Sequence, residues 1–146
     1  MQIKIKRLDK TLPLPQYQTP GSVAFDLSAA CDAEILPGEI KLIPTGLIIT
    51  TPPDCMLMLA SRSSLALKKG LMMGNGIGIV DQDYCGPNDE IKIQVLNIKK
   101  EPVKIEKGER IAQAVFVRIE KPSVEEIENL ENSESRGGFG STAGYK

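Results

Sequence analysis

The sequence predicts an all-β protein: a sandwich, barrel or jelly roll with at most one short helix. Three observations carry this. Ten Pro and 13 Gly punctuate the 146 residues, too often for long helices. The runs between them are short and rich in Ile, Leu and Val. Several of those runs alternate apolar with polar residues, the period of a strand with one buried face.

Taken in order, Ile3 and Ile5 alternate with Lys4 and Lys6 and read as a first strand. Ile40-Lys41-Leu42-Ile43 and Leu47-Ile48-Ile49-Thr50-Thr51 read as two more, separated by a turn at Pro44-Thr45-Gly46. Residues 55–59 form a short buried run. Ile91-Lys92-Ile93-Gln94-Val95-Leu96 alternates and is expected to break at Asn97. Val103-Lys104-Ile105 leads into a Lys107-Gly108 turn, and residues 112–119 make the last run. Residues 63–69 suit a short helix stopped by Gly70, because glycine readily takes the left-handed conformation that ends helices. Ser123 and Glu126 have the spacing of a capping box, with Val124, Ile127 and Leu130 on one face. That segment suits one or two helical turns, or a strand end.

Composition bounds the chemistry. Eighteen Lys and Arg nearly balance 19 Asp and Glu. Nucleic-acid and membrane-surface binders work through basic excess, so neither class is expected. There is no His, which excludes Ser-His-Asp and Cys-His nucleophiles and His-ligated zinc. A general base must then be a carboxylate, Lys, Tyr or Cys. Cys31, Cys55 and Cys85 form no CxxC pair and suit reduced, packed thiols. With no signal-peptide pattern and no apolar run near the ~20 residues of a membrane span, a cytoplasmic protein is expected. The chain divides into a β domain over residues 1–133 and a flexible C-terminal arm over 134–146. The Glu-rich and then Gly-rich end buries little apolar surface by itself.

Several segments could carry chemistry. No Gx4GK[ST] is present, so there is no P-loop. Alternate glycines in Gly74-Asn75-Gly76-Ile77-Gly78 let a ligand approach the backbone, or simply form a bulge or hairpin. Asp81, Asp83 and Tyr84 follow; a buried carboxylate beside a planar ring would supply a base and a stacking surface. Arg62 with Ser61, Ser63 and Ser64 suits phosphate oxygens, or is a plain helix cap with an exposed Arg.

Together and in order, these segments resemble one family, the trimeric dUTPases. The resemblance rests on five motifs: Pro20-Gly21-Ser22-Val23-Ala24-Phe25-Asp26-Leu27-Ser28-Ala29-Ala30; Ser61-Arg62-Ser63-Ser64-Leu65-Ala66; Asn75-Gly76-Ile77-Gly78-Ile79-Val80-Asp81-Gln82-Asp83-Tyr84-Cys85-Gly86; Gly108-Glu109-Arg110-Ile111-Ala112-Gln113; and Arg136-Gly137-Gly138-Phe139-Gly140-Ser141-Thr142. It implies a distorted jelly roll of the β-clip type, closed by a C-terminal arm. It also implies Mg²⁺-dependent cleavage of dUTP to dUMP and pyrophosphate in a homotrimer whose three sites lie between subunits.

By resemblance, Asp81 orients and deprotonates the attacking water, and Asp26 touches Mg²⁺ through water while the phosphates hold the ion. Arg62, Ser63, Ser64 and Gln113 would bind the phosphate chain. Asn75, Gly78, Ile79 and Val80 would read the uracil, with Tyr84 under the sugar. From the arm, Phe139 would stack on uracil, and Arg136, Gly140, Ser141 and Thr142 would close over the substrate. The chain departs from the family pattern in Cys85, where a bulky residue is usual, in a small insertion at Pro87-Asn88-Asp89, and in a shortened last motif. Two alternatives are a dCTP deaminase-like enzyme of the same fold and a non-catalytic, nucleotide-binding regulatory trimer. The first is disfavoured because Gln94 stands where a deaminase has its Glu base.

Overall fold

The computed structural model describes residues 2–129 and Gly137. Within them the chain is built from eleven short strands: β1 (Ile5–Arg7), β2 (Phe25–Ser28), β3 (Ala33–Ile35), β4 (Ile40–Pro44), β5 (Leu47–Ile49), β6 (Cys55–Ser61), β7 (Leu71–Met73), β8 (Gly78–Val80), β9 (Lys92–Asn97), β10 (Val103–Ile105) and β11 (Arg110–Arg118). All pairings are antiparallel. Four strands make one sheet in the order β2-β11-β6-β8, and three make another in the order β4-β9-β7. β1 pairs with β5, and β10 with β3. These multiple antiparallel sheets agree with the expected β-clip jelly roll.

Alternation builds the core. In β6, Cys55, Leu57 and Leu59 are buried while Met56 and Met58 are half-buried; in β9, Ile93, Val95 and Asn97 are buried. Leu57, Leu59, Ile93 and Val95 join Leu27, Ile35, Ile43, Ile49, Ile105 and Ile111 in one cluster. Burying each large aliphatic side chain contributes about 1.5–3 kcal/mol, which explains how three-residue strands hold their places.

The departures from the expected elements have physical reasons. β2, β3, β7 and β8 lie outside the runs read as strands; each takes its place from a partner strand distant in the chain. β9 ends at Asn97, the residue where the break was expected. The buried Asn97 amide donates to the carbonyls of Ile35 (2.9 Å) and Glu101 (2.8 Å), and its oxygen accepts from the Lys99 N–H (2.8 Å). A strand end can bury a polar residue when its hydrogen bonds are made. The helix expected over 63–69 is one π-helical turn, Leu65–Lys69, ended by Gly70 at φ 70°. Residues 119–127 form neither helix nor strand; Val124 is 97% exposed, so its apolar face finds nothing to pack against. Leu130 is outside the described residues. Of the three thiols expected to be packed, only Cys55 is; Cys31 and Cys85 are exposed. Burial pushes the Cys55 thiol up, with the neighbouring Asp54 carboxylate adding to the effect.

Candidate active site

The glycines of 74–78 left a bulge or a hairpin as the plain local reading. Instead the chain crosses between sheets here: β7 pairs with β9 in one, and β8 with β6 in the other. A tight turn makes the crossing. Gly74 N–H donates to the Gln94 carbonyl, Gly76 N–H to Met73 and Ile77 N–H to Asn75. Gly76 sits at φ 72°, where a side chain would be strained.

The crossing opens a cavity of about 430 Å³ lined by Asn75, Gly78, Ile79, Val80, Asp81, Tyr84, Leu42, Leu59, Ile91 and Lys92. β8 is the edge strand of its sheet, so part of its backbone N–H and C=O complement is not used within the sheet. Gly78 brings that backbone against β6: a Cβ there would meet the Leu59 side chain at 3.1–3.3 Å.

Asp81 follows the last pair of β8 and is exposed, not buried as expected. The ladder ends at Val80, leaving Asp81 beyond the sheet. Its carboxylate has no hydrogen bond or ion pair among the described residues. The Tyr84 hydroxyl donates to the Glu90 carbonyl (3.2 Å), and a Glu90 carboxylate oxygen accepts from the Gly46 N–H (2.7 Å). The Pro87-Asn88-Asp89 insertion is accommodated in a closed turn: Asp89 accepts from the Gly86 N–H at 2.7 Å, and its own N–H donates to the Gly86 carbonyl. Tyr84 is therefore tied to the far end of the inserted turn.

The second group lies at the ends of β2, β6 and β11. Register places Gln113 of β11 between Asp26 of β2 and Ala60 of β6. Its amide donates to the Ser61 carbonyl at 2.9 Å. Arg62 Nε donates to Asp26 Oδ1 at 2.8 Å, and Arg62 Nη1 to the Arg110 carbonyl at 3.1 Å. Arg110 Nη1 donates to Asp26 Oδ2 at 3.1 Å. Asp26 thus sits on a strand between two guanidinium groups. Ser63 is exposed and Ser64 half-buried beside Arg62. Sequence reasoning quoted Arg110 within a motif but gave it no role. Its meeting with Asp26 depends on the irregular β2–β11 register, which shifts between Arg110 and Ala112.

Asn75, Gly78, Ile79, Val80, Asp81 and Tyr84 thus share one cavity, and Asp26, Arg62 and Gln113 form a separate cluster beside Ser63 and Ser64. The cavity's lining includes none of the second group. Arg136, Phe139, Gly140, Ser141 and Thr142 lie outside the described residues.

Among the described residues, no group of three or more His, Cys, Asp or Glu side chains could hold a metal ion. Asp26 uses each carboxylate oxygen once on an arginine, leaving acceptor capacity for a water on a hydrated cation. That donor set fits a hard ion carried by a ligand's own oxygens and reached through water, as Mg²⁺ prefers.

Comparison with known proteins follows the same lines. The dUTPase family model matches residues 10–143. The deoxyuridine 5'-triphosphate nucleotidohydrolase of Thermoanaerobacter sp. (strain X514) is 46% identical over 145 residues, covering 96% of each chain. The crystal structure of dUTPase from Streptococcus mutans has a TM-score of 0.77 at 33% identity, covering 85% of this chain and 100% of that one. The Staphylococcus bacteriophage 80alpha dUTPase with dUPNHPP has a TM-score of 0.85 at 26% identity, covering 97% of this chain and 98% of that one.

Proposed function

The chain belongs to the dUTPase family, and from that premise we propose that it hydrolyses dUTP to dUMP and pyrophosphate. The observation that carries the reading is the cavity in which Asp81, its carboxylate unpaired among the described residues, stands beside Tyr84 and the backbone of an edge strand.

The uracil takes its hydrogen bonds from β8 and the Asn75 amide, which reproduce the pattern of a pairing base. Cytosine reverses a donor and an acceptor, leaving buried polar groups unpaired, and such mismatches discriminate strongly. The close packing of Gly78 on Leu59 fixes the backbone that does the reading. Tyr84 packs under the deoxyribose, where a 2′-hydroxyl would crowd the ring.

Asp81 orients a water and takes its proton as the oxygen attacks the α-phosphorus; the bond to the bridging oxygen breaks and pyrophosphate leaves. A carboxylate is one of the bases that a chain without His can offer. Arg62, Ser63, Ser64 and Gln113 hold the phosphates, and the Asp26 and Arg110 contacts keep the Arg62 guanidinium in place. Positioning and charge neutralisation supply most of the rate in such transfers. Asp26 would hold a Mg²⁺ carried by the substrate through water, and the ion would supply charge neutralisation at the phosphates.

The base-reading cavity and the arginine cluster are separate on one chain, which supports a homotrimer with each site shared between subunits. In that assembly residues 1–133 form the β domain, and the arm, 134–146, brings Arg136, Phe139, Gly140, Ser141 and Thr142 over the substrate. Such an enzyme lowers dUTP and supplies dUMP for dTMP synthesis, a cytoplasmic task.

Pyrophosphate release from dUTP with Mg²⁺, run beside dCTP, dTTP and UTP, tests the proposal. Turnover confined to dUTP is expected. Ammonia release from dCTP, or binding of dUTP without turnover, would overturn it.

A further inference from the structure

Every hydrogen-bonding group of the Gln82 amide is engaged. Nε2 donates to the Pro53 carbonyl at 2.5 Å and to the Cys55 carbonyl at 2.9 Å, while Oε1 accepts from Lys121 Nζ at 2.7 Å. The two N–H groups of an amide are both used, on successive anchor points of one edge. That edge is the entry to β6, the strand on which β8 lies. The ladder pair Val80–Leu57 fixes the backbone immediately before Asp81, and the Gln82 amide fixes it immediately after. Asp81 is thus held between two attachments to the same strand.

This arrangement matters because the Asp81 carboxylate makes no hydrogen bond or ion pair of its own among the described residues. A base without a side-chain partner owes its position to the backbone that carries it. The ladder alone does not reach past Val80, and the residues that follow are a loop. The third bond adds a link: Lys121 lies just beyond the end of β11, on the segment that continues toward the C-terminus.

We propose that Gln82 is a positioning residue for Asp81, its amide extending the β6–β8 attachment so that the carboxylate is held ready for the water. The proposal rests on the reading of Asp81 as the base. The effect belongs in the chemical step, because Gln82 reaches backbone carbonyls and Lys121 and none of the groups assigned to substrate.

The test uses the full chain, with three readouts: kcat and KM for dUTP, affinity for a dUTP analogue with an imido bridge between the α and β phosphates, and the thermal midpoint. Gln82→Ala is expected to lower kcat about 10- to 100-fold, the scale of a small misplacement of a reacting group, while KM and analogue affinity stay within about threefold. Gln82→Glu keeps an acceptor for Lys121 but has no N–H for either carbonyl, and should lose kcat to a similar extent. If Gln82→Ala fails to fold, Gln82→Glu decides.

A folded variant with wild-type kcat overturns the proposal. So does a variant whose only change is a lower thermal midpoint, since that marks a purely structural role. A wild-type chain that does not hydrolyse dUTP removes the premise as well, an outcome distinct from an active wild type with an equally active variant.

Discussion

Asp26 and Arg62, 36 positions apart in the chain, meet through Oδ1 and Nε at 2.8 Å, and Arg110 closes on the other oxygen of the same carboxylate at 3.1 Å. One negative charge thus orders two positive ones at the ends of three strands. A guanidinium already oriented by a carboxylate gives up less conformational freedom when it receives phosphate.

Replacing Asp26 by Asn should therefore act on binding. The pair is partly buried, with side chains 17% and 28% exposed, so its loss should cost about 1–2 kcal/mol, between the values of exposed and buried pairs. Urea denaturation measures that. The KM for dUTP should rise about tenfold. An unchanged KM in Asp26→Asn would show that Arg62 does not need the carboxylate.

Asp81→Asn removes the base and leaves the cavity's shape. Hydrolysis should fall by about 10²–10⁴, the usual contribution of a positioned acid or base, while the imido analogue still binds. Single-turnover kinetics with a parallel binding titration separates the two effects. Normal turnover in this variant would refute the assigned base.

Gly78→Ala should strain the β6–β8 contact, because its methyl would press on Leu59 at 3.1–3.3 Å. Leu59 is buried in the core and has little room to move. A loss of about 1–2 kcal/mol of stability is expected, together with weaker dUTP binding as the base-reading backbone shifts. Equal urea midpoints for variant and wild type would show that the contact relaxes freely.

Acid should weaken the N-terminal anchor. The hydrogen bond from Lys107, followed by those from Thr11, holds the Asp9 carboxyl well below the usual carboxylate range. A carboxylate depressed in the folded state adds stability above its unfolded value, and that stability is lost as pH falls through the folded value. The stability gap between wild type and Asp9→Asn should accordingly be full near neutral pH and shrink as pH falls below the ordinary Asp value of 3.8. Urea midpoints at stepped pH measure the gap; a constant gap would contradict the linkage.

Much of the architecture was legible where alternation was long enough. β9 coincides with a run read from period two, β6 and β11 with the apolar runs read at 55–59 and 112–119, and Gly70 and Gly108 stop or turn the chain where glycine predicts it. The strands missed were β2, β3, β7 and β8, three or four residues long, whose conformation comes from pairing with a distant strand. Asn97 ends β9 as expected, but its burial was not legible, because its three side-chain hydrogen bonds are invisible until Ile35 and Glu101 are brought beside it. Asp81 was expected to be buried, but β8 buries Gly78 and Val80, so Asp81 falls on the same exposed side of the alternation as Ile79.

The sequence by itself determined the β class, the stopping points, the exclusion of histidine as a base and the five motifs that place the chain in its family. Each is a local property: a period, a backbone freedom, the absence of one residue type, a string of neighbours. Tertiary structure alone decided that Asp26 joins Arg62 and Arg110, that β7 and β8 belong to different sheets, and that Gln82 reaches back to Pro53 and Cys55. Those relations join residues far apart in the chain. They are set by which strand faces can be buried together, and only the packed sheets resolve that choice.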